Sequence, residues 1–341
     1  MWTMTKSGWA RVLVMVAMIW LLPAPGVAGG RCTDTAKALF RACGLSVQDD
    51  WWVASAKCIN VSDAGERQDC YGEAGQERRE SSEVCEDQLD TRLAACGVLG
   101  EGRYDPALDP ADFDTSFAHP AHPNPYFPIA IGNHWEFRSA SETNTLEILD
   151  QTKLINGVTC VVQRDQVFKD GALKENTDDW FAQAKDGTVW YCGEEVKDYQ
   201  SFDGDQPKLP ELVSIDGSFK AGRDRDKPGI IFLTSPAVDD AYLEEFSLGN
   251  AEDVTEILST SYSFGHDAEL DEVVPAVLAN ALCHGDCVVT KNYSLLEPGI
   301  FARKYYARGI GVFLEIEPDE GNVIRLVSCN LDPRCATLPQ P

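Results

Sequence analysis

The pattern of apolar and polar residues divides the chain into a helical first part and a β-rich remainder. Between residues 32 and 96, apolar side chains such as Ala36, Leu39 and Phe40 recur at the spacing of a helix. From about residue 124 onwards, short apolar runs are separated by Gly, Pro, Asn and Asp. The pattern therefore predicts an α+β multidomain chain, with a helical hairpin at residues 29–97 and an antiparallel β domain at residues 124–335.

Six cysteines of the helical part are spaced symmetrically, by 11, 15, 12, 15 and 11 residues. Steps of this size return a helical side chain close to its starting direction, so each helix carries its cysteines along one face. If the helices are antiparallel, the first cysteine lies opposite the last and the others pair in the same mirrored order. The sequence therefore predicts the disulfides Cys32–Cys96, Cys43–Cys85 and Cys58–Cys70.

Local signals predict where these helices begin and end. Gly44 is expected to end a first helix, and residues 46–49 resemble a capping box that starts it again. Residues 63–66 form a second capping signal, and Gly97 is expected to stop the second long helix. Because residues 73–83 contain almost no apolar side chain, we expect disulfides rather than a core to hold the two helices together.

One hairpin of the β-rich part can be predicted in detail. Asp186-Gly187 favours a tight two-residue turn, which would place Phe181 opposite Cys192 and Ala182 opposite Tyr191. Further strands are expected at residues 134–139, 145–150, 158–168, 241–248, 254–263, 288–296, 301–307, 312–316 and 323–329. Many short strands without helices between them predict an antiparallel β-sandwich or barrel-like domain.

The other six cysteines suggest three further bonds. We expect Cys160–Cys192, Cys283–Cys287 and Cys329–Cys335, with exchange among these pairs as the alternative. Twelve cysteines are an even count, which is typical of disulfides formed in an oxidising compartment. Zinc is the competing interpretation, but the C-x2-C spacing of structural zinc sites is absent.

Residues 1–28 have the features of a secretory signal peptide. Lys6 and Arg11 give a positively charged region before the apolar residues 12–22, and Gly26-Val27-Ala28 offers small residues for cleavage. The apolar segment is too short to cross a bilayer, and no longer one follows it. We therefore expect a secreted or periplasmic protein with no membrane span after signal removal.

The formal net charge of −26 restricts the partners of the chain. Nucleic acid and anionic membrane surfaces bind clusters of Lys and Arg, which this acidic chain lacks, so such partners are not expected.

Residues 98–123 contain several prolines and predict a stiff, semi-extended linker, and residues 336–341 are expected to form a C-terminal tail. The polar faces of the hairpin are expected to meet a protein or cell-surface partner.

Two groups of residues are candidates for metal binding. His119, His122 and His134 lie close together in the sequence and could hold zinc or copper. Asp203 and Asp205 lie in a loop and could hold calcium through their oxygen atoms. The alternative is that all five are ordinary surface residues. No other cofactor is expected.

Aromatic residues on the strands are candidates for a ligand cavity. If the strands close into a barrel, Trp180, Trp190, Tyr305 and Tyr306 could line its interior. The alternative is that alternate members of Lys304-Tyr305-Tyr306 simply fill the core.

Two stretches resemble a β-rich domain that recurs in bacterial exported proteins of unassigned function. The motifs are Thr290-Lys291, Leu296-Glu297-Pro298, Lys304-Tyr305-Tyr306-Ala307-Arg308-Gly309-Ile310-Gly311, Asp178-Asp179-Trp180, Asp186-Gly187 and Trp190-Tyr191. Arg308 stands where such proteins often have proline, and the segment 283–287 looks specific to this chain. The resemblance covers about residues 124–329 and implies a fold and an exported location, but no catalytic residues.

Motifs of the common catalytic classes are absent. The chain has no G-x-S-x-G, H-E-x-x-H, G-x-x-x-x-G-K-[ST] or G-x-G-x-x-G. The leading hypothesis is an exported, non-catalytic binding or surface-assembly protein. The alternatives are a carrier of a small apolar ligand in a barrel cavity, and a carbohydrate-active hydrolase that uses paired carboxylates.

Overall fold

Two long antiparallel helices form the first part of the protein. The computed structural model describes residues 30–319 and 321–340, so the predicted signal peptide lies outside the described residues. Helix α1 spans Arg31–Ile59 and helix α2 spans Ala64–Leu99. Among the described residues, no helix is both long enough and apolar enough to cross a membrane.

The predicted disulfide ladder is confirmed. Cys32–Cys96, Cys43–Cys85 and Cys58–Cys70 join α1 to α2 with Cα–Cα distances of 5.7, 5.8 and 5.6 Å. These near-equal distances show that the two helices run side by side at constant separation. The hairpin therefore has the antiparallel geometry that the mirrored spacing requires.

The predicted helix ends are only partly correct. Asp63 caps α2, since its Oδ1 accepts hydrogen bonds from the backbone N–H groups of Gly65 at 2.8 Å and Glu66 at 3.0 Å. Gly44 does not end the first helix, and α1 continues through it. A glycine inside a helix costs only about 1 kcal/mol, and the disulfides Cys43–Cys85 and Cys58–Cys70, on either side of Gly44, outweigh this cost. Helix α2 likewise passes Gly97 and ends at Leu99, just before Gly100, which has a φ of +86°.

The second part is one antiparallel sheet of fifteen strands within the described residues. Its main path runs β10-β11-β12-β13-β14-β15-β1-β2-β3-β4-β5, with β9 paired to β5. The strands are β1 His134–Arg138, β2 Glu142–Ile155, β3 Val158–Lys169, β4 Ala172–Gln183, β5 Val189–Glu195, β6 Asp198–Gln200, β7 Glu211–Ser214, β8 Phe219–Lys220, β9 Gly229–Phe232, β10 Ala241–Leu243, β11 Asp253–Tyr262, β12 Cys287–Ser294, β13 Ala302–Ala307, β14 Gly311–Glu317 and β15 Asn322–Cys329. A short helix, α3 Ala276–Leu282, follows β11.

The sheet curls until its two ends meet, which makes the domain barrel-like. Strand β9, at one end, passes so close to the residue after β10 that a Cβ atom on Gly229 would lie 1.7 Å from the carbonyl oxygen of Glu244. Glycine is therefore required at this contact. An isolated bridge between Lys227 and Phe246 continues the same approach. The predicted fold class, a disulfide-stapled helical hairpin followed by an antiparallel β domain, is confirmed.

The predicted register of the Asp186-Gly187 hairpin is wrong by one residue. Phe181 pairs with Tyr191, and Ala182 pairs with Trp190. The backbone N–H of Gly187 donates to the carbonyl of Ala184 at 2.8 Å, and Gly187 has a φ of +92°. This geometry gives a three-residue loop in place of the expected two-residue turn.

The shift in register decides which side chains share a face. Phe181 and Tyr191 belong to the main core cluster, whereas Trp180, Ala182 and Cys192 pack together on the other face of the sheet. The predicted Cys160–Cys192 disulfide forms on that second face, with Cα atoms 6.7 Å apart. Cys283–Cys287 and Cys329–Cys335 also form, and no cysteine of the described chain is free.

The segments next to the predicted β domain pack onto it. Phe113 and Phe117, from the proline-rich stretch, are buried in the core clusters. Tyr104 donates its hydroxyl to the carbonyl of Pro228 at 2.8 Å. Leu338, from the C-terminal stretch, is buried in the main core as well. Both stretches therefore contribute side chains to the β domain.

One ion pair anchors the hairpin to the β domain. The guanidinium of Arg92 on α2 donates two hydrogen bonds, at 2.9 and 3.0 Å, to the carboxylate of Glu252. Both side chains are almost completely buried, at 5% and 3% exposure. Nearby, Ala95 packs against Leu243 and Val254. The hairpin is therefore fixed at its base by charge pairing and apolar contact.

Candidate functional site

A cavity of about 350 Å³ lies within the β domain. Strands β3 to β5 contribute the residues of a first wall and the region from β10 to β14 contributes those of a second wall, and Trp135, Leu146 and Ile231 add to the lining from β1, β2 and β9. Five aromatic residues contribute to the lining, namely Phe127, Trp135, Phe181, Tyr191 and Tyr306.

Strand alternation explains how charged side chains reach this cavity. On β3, Gln163 and Asp165 line the cavity, whereas Arg164 between them points to the other face and pairs with Asp178 at 2.8 Å. Successive side chains of a strand point to opposite faces, so every second residue of β3 faces inward. The same alternation on β13 turns Lys304 and Tyr306 toward the cavity.

The lining is unusually rich in carboxyl groups. Eight of its residues are acidic and one is basic, Lys304. The acidic residues are Asp165, Glu175, Asp179, Glu194, Glu244, Glu245, Asp253 and Glu315. Buried carboxylates are costly unless they are paired or protonated, so this excess requires a physical explanation.

The first wall carries a row of polar groups across three strands. The strand register places Gln163 beside Asp179, and Asp179 beside Glu194. Asp179, which is 8% exposed, accepts hydrogen bonds from the hydroxyl of Tyr191 at 2.5 Å and from the amide of Gln163 at 3.3 Å. These two donors fix the orientation of the Asp179 carboxylate.

The second wall holds Glu244 in a polar network. Glu244 is 6% exposed, and its Oε1 accepts hydrogen bonds from Thr255 Oγ1 at 2.5 Å and from Asn292 Nδ2 at 2.8 Å. Thr290 in turn donates to the amide oxygen of Asn292 at 2.5 Å. The network orients one oxygen of Glu244 by neutral donors alone.

Burial strongly raises the pKa values of the carboxyl groups in this cavity. It raises the pKa of Asp179 to about 6, against the opposing effect of its hydrogen bonds. It raises the pKa of Glu244 to about 7. Burial and the neighbouring charge of Asp179 raise the pKa of Glu194 to about 9. The same two causes hold the pKa of Asp165 well above its usual value, and burial does so for Glu245.

Lys304, the one basic residue of the lining, does not balance the excess of acidic residues. The charge of Glu315, its cross-strand neighbour on β14, is the main reason why the pKa of Lys304 is raised, followed by the opposing effect of burial and by Glu244. The lysine therefore stays charged, and its strongest electrostatic interaction is with Glu315. The carboxyls of the first wall have no basic residue of their own within the lining.

The four aromatic residues expected to line a cavity lie in different places. Tyr306 lines it. Trp180 lies on the opposite face of the sheet with Lys153 Nζ 3.5 Å from its ring centre, and Trp190 packs against the same cluster. Tyr305 is fully buried in the main core and donates its hydroxyl to the carbonyl of Leu270 at 2.6 Å. The one-residue shift in the hairpin is the reason why Tyr191 lines the cavity.

The residues expected to bind metal are not brought together. His122 lies on the surface with its Nδ1 3.2 Å from Asp114, His119 is exposed, and His134 begins β1. Asp203 pairs with Lys208 at 2.5 Å in an exposed loop that also contains Asp205. Over residues 30–319 and 321–340, no three His, Cys, Asp or Glu side chains are arranged to hold a metal ion.

Sequence reasoning missed most of the carboxyl groups of the cavity. A usable signal existed in the alternation of Val161, Gln163 and Asp165, where polar side chains continue a buried apolar face. Asp179 likewise shares the face of Phe181. Charged residues at the inward positions of a strand are a sign of a polar interior.

Comparison with protein-family models, with curated proteins and with solved structures found no match for this chain.

Proposed function

We propose that this is an exported binding protein that holds a small ligand in the cavity of its β domain. The observation that carries the proposal is the cavity itself, whose volume of about 350 Å³ lies within the range of small-molecule sites, roughly 300–1,000 Å³. Its oriented polar groups and aromatic walls are the usual means of fixing a ligand. The eight acidic residues of the lining favour a polar ligand over the apolar one suggested by the sequence.

Export to the periplasm or beyond is supported by two independent features. All twelve cysteines form disulfides, which is typical of oxidising compartments. The first 28 residues have the pattern of a secretory signal. The hairpin extends from the β domain and exposes Leu45, Trp52 and Ile59 at seven-residue intervals along α1, which suits contact with a protein partner.

Carbohydrate hydrolysis is the second candidate function. Asp179 and Glu194 lie side by side on neighbouring strands, with pKa values raised to about 6 and about 9. Two carboxyls with separated pKa values are a pattern of acid–base catalysis. Turnover of chromogenic glycosides that is abolished by Asp179→Asn and by Glu194→Gln would establish this function in place of simple binding.

The binding proposal is tested by blocking the cavity. Leu146 on β2 lines the cavity, whereas Leu154 on the same strand is exposed. We expect at least one class among cationic, anionic, neutral and apolar small molecules to raise the unfolding temperature of the wild-type protein and of Leu154→Trp, but not of Leu146→Trp. If no class stabilises the wild type, or if Leu146→Trp responds equally, the proposal is wrong.

A further inference from the structure

We propose that the ligand of this cavity is a small organic cation that carries at least one ammonium group, bound between Asp165 and Asp179 on one wall and Glu244 on the other. This inference rests on the proposed binding function and names the chemical class of the ligand. Its support comes from the charge of the lining, from one unpartnered carboxyl oxygen and from the aromatic residues of the lining.

The charge imbalance extends around the whole cavity. The acidic groups that face it are Asp165 on β3, Glu175 and Asp179 on β4, Glu194 on β5, Glu244 and Glu245 after β10, Asp253 on β11 and Glu315 on β14, and the other titratable groups are Tyr191, Lys304 and Tyr306. Both tyrosines stay neutral, because burial raises the pKa of each. With one lysine against eight carboxyls, a positively charged guest would relieve repulsion that the chain itself does not relieve.

Asp165 gives a second and independent indication of a missing donor. Its Oδ1 is buried and has no hydrogen-bond partner. Its cross-strand neighbour Thr177 donates its hydroxyl to Glu175 Oε1 at 2.7 Å and so is not available. A buried carboxylate oxygen without a donor is costly, whereas an ammonium group supplies up to three donors.

The surroundings favour an organic cation over a metal ion. The described residues hold no group of three or more side chains placed to ligate one metal, so the carboxyls are spread around the cavity rather than collected at a point. The rings of Phe181, Tyr191 and Tyr306 belong to the same lining. Carbon atoms of an amine can pack against these rings, and its charge is attracted by their faces.

The raised acid equilibria predict how binding depends on pH. Asp179 and Glu244 have pKa values raised to about 6 and about 7, so each is partly protonated near neutral pH. A bound ammonium group favours the ionised carboxylate, so binding should release protons. Affinity should therefore rise between about pH 6 and about pH 8.

Titration calorimetry with cadaverine tests the inference. We expect the full-length mature protein to bind cadaverine and to release protons, measured in two buffers of different ionisation enthalpy. The uncharged diol of the same chain length and glutarate should not bind. Asp165→Asn and, as a second variant, Glu244→Gln should each weaken binding by about tenfold or more, because each removes a carboxyl group that is ionised when the ammonium group binds.

Asp178→Asn is the matched control. Asp178 lies next to Asp179 on β4 but points to the other face, where it pairs with Arg164. Its removal should leave the affinity unchanged, and an equal loss in this variant would show nonspecific attraction to an acidic protein. If neutral or anionic molecules stabilise the protein through the cavity while cadaverine, putrescine and spermidine do not bind, the cation inference is wrong and the binding function stands. If no molecule of any class binds, both are wrong.

Discussion

The helical hairpin and the β domain are stabilised in opposite ways. The hairpin buries few side chains, and its apolar residues Leu45, Trp52 and Ile59 are more than half exposed, yet three disulfides join its helices. The β domain has a large apolar core, but it also contains a cavity lined by eight acidic residues. The hairpin therefore depends on constraining the unfolded chain, whereas the β domain has enough burial to tolerate a costly polar site.

Removal of the three hairpin disulfides should have the largest effect. Each bond contributes about 2–4 kcal/mol, and no comparable core replaces it. We expect a variant with alanine at Cys32, Cys43, Cys58, Cys70, Cys85 and Cys96 to lose most of its helical circular dichroism, while tryptophan fluorescence still reports a folded β domain. A variant without Cys160–Cys192 is the control, because β3, β4 and β5 stay joined by their backbone hydrogen bonds. A hairpin that keeps its helicity without disulfides would contradict this account.

Loss of the contact between the hairpin and the β domain should have the second largest effect on stability. Arg92→Ala would leave the carboxylate of Glu252 buried without its partner, at a cost of about 3–5 kcal/mol. Urea unfolding should detect this loss, and amide exchange should increase near the base of α2. Arg78→Ala is the control, since Arg78 is exposed on the same helix and stacks on Trp51. Equal effects of the two changes would show that the buried pair has no special role.

The acidic cavity should make the stability of the β domain decrease as the pH rises. Asp179, Glu244 and Glu194 have pKa values of about 6, about 7 and about 9 in the folded protein, above those of the unfolded chain, near 4. The folded state therefore binds more protons between about pH 4 and about pH 9, and its stability falls over this range, with each group contributing about 1.4 kcal/mol for every unit by which its folded pKa exceeds its unfolded pKa.

Thermal unfolding at a series of pH values measures this effect. The double variant Asp179→Asn with Glu244→Gln should flatten the profile, whereas Asp178→Asn should not, because its side chain faces away from the cavity. A wild-type profile that rises with pH over this range would show that the cavity carboxyls are not protonated in the folded state.

Removal of the N-terminal cap of α2 should have the smallest effect on stability. Asp63 accepts hydrogen bonds from two N–H groups at the start of α2, and these bonds lower the pKa of its carboxyl. Asp63→Ala should fray the first turn of α2 without separating the helices, because Cys58–Cys70 lies beside it. Faster amide exchange limited to residues 64–67 would be the expected result, and exchange along the whole of α2 would contradict it.

The sequence predicted the hairpin well because its cysteines recur at helical spacing and pair in disulfides. The cysteine spacing alone determines three pairings, and all three form. Gly44 and Gly97 misled the prediction because a single glycine is only a small local penalty, and the neighbouring disulfides and packing outweigh it.

The β domain was predictable in its strands but not in its interior. Most long strands follow apolar runs, yet the register at Asp186-Gly187 depends on a hydrogen bond between Gly187 and Ala184 that the dipeptide alone does not specify. The short strands between residues 198 and 232 have little apolar alternation and were not expected. Asp165 of β3 and Glu244, which follows β10, line the same cavity although they are far apart in the sequence, and no local pattern indicates this.

The closed ends of the disulfide ladder have a consequence for protease attack. Cys58–Cys70 encloses the turn between α1 and α2, and Cys32–Cys96 joins the opposite ends of the helices. A peptide bond cut between residues 60 and 63 would therefore release no fragment, since both halves remain linked by sulfur. Such a nicked arm would keep its length and its position on the β domain, and gel electrophoresis would reveal the cut only after reduction.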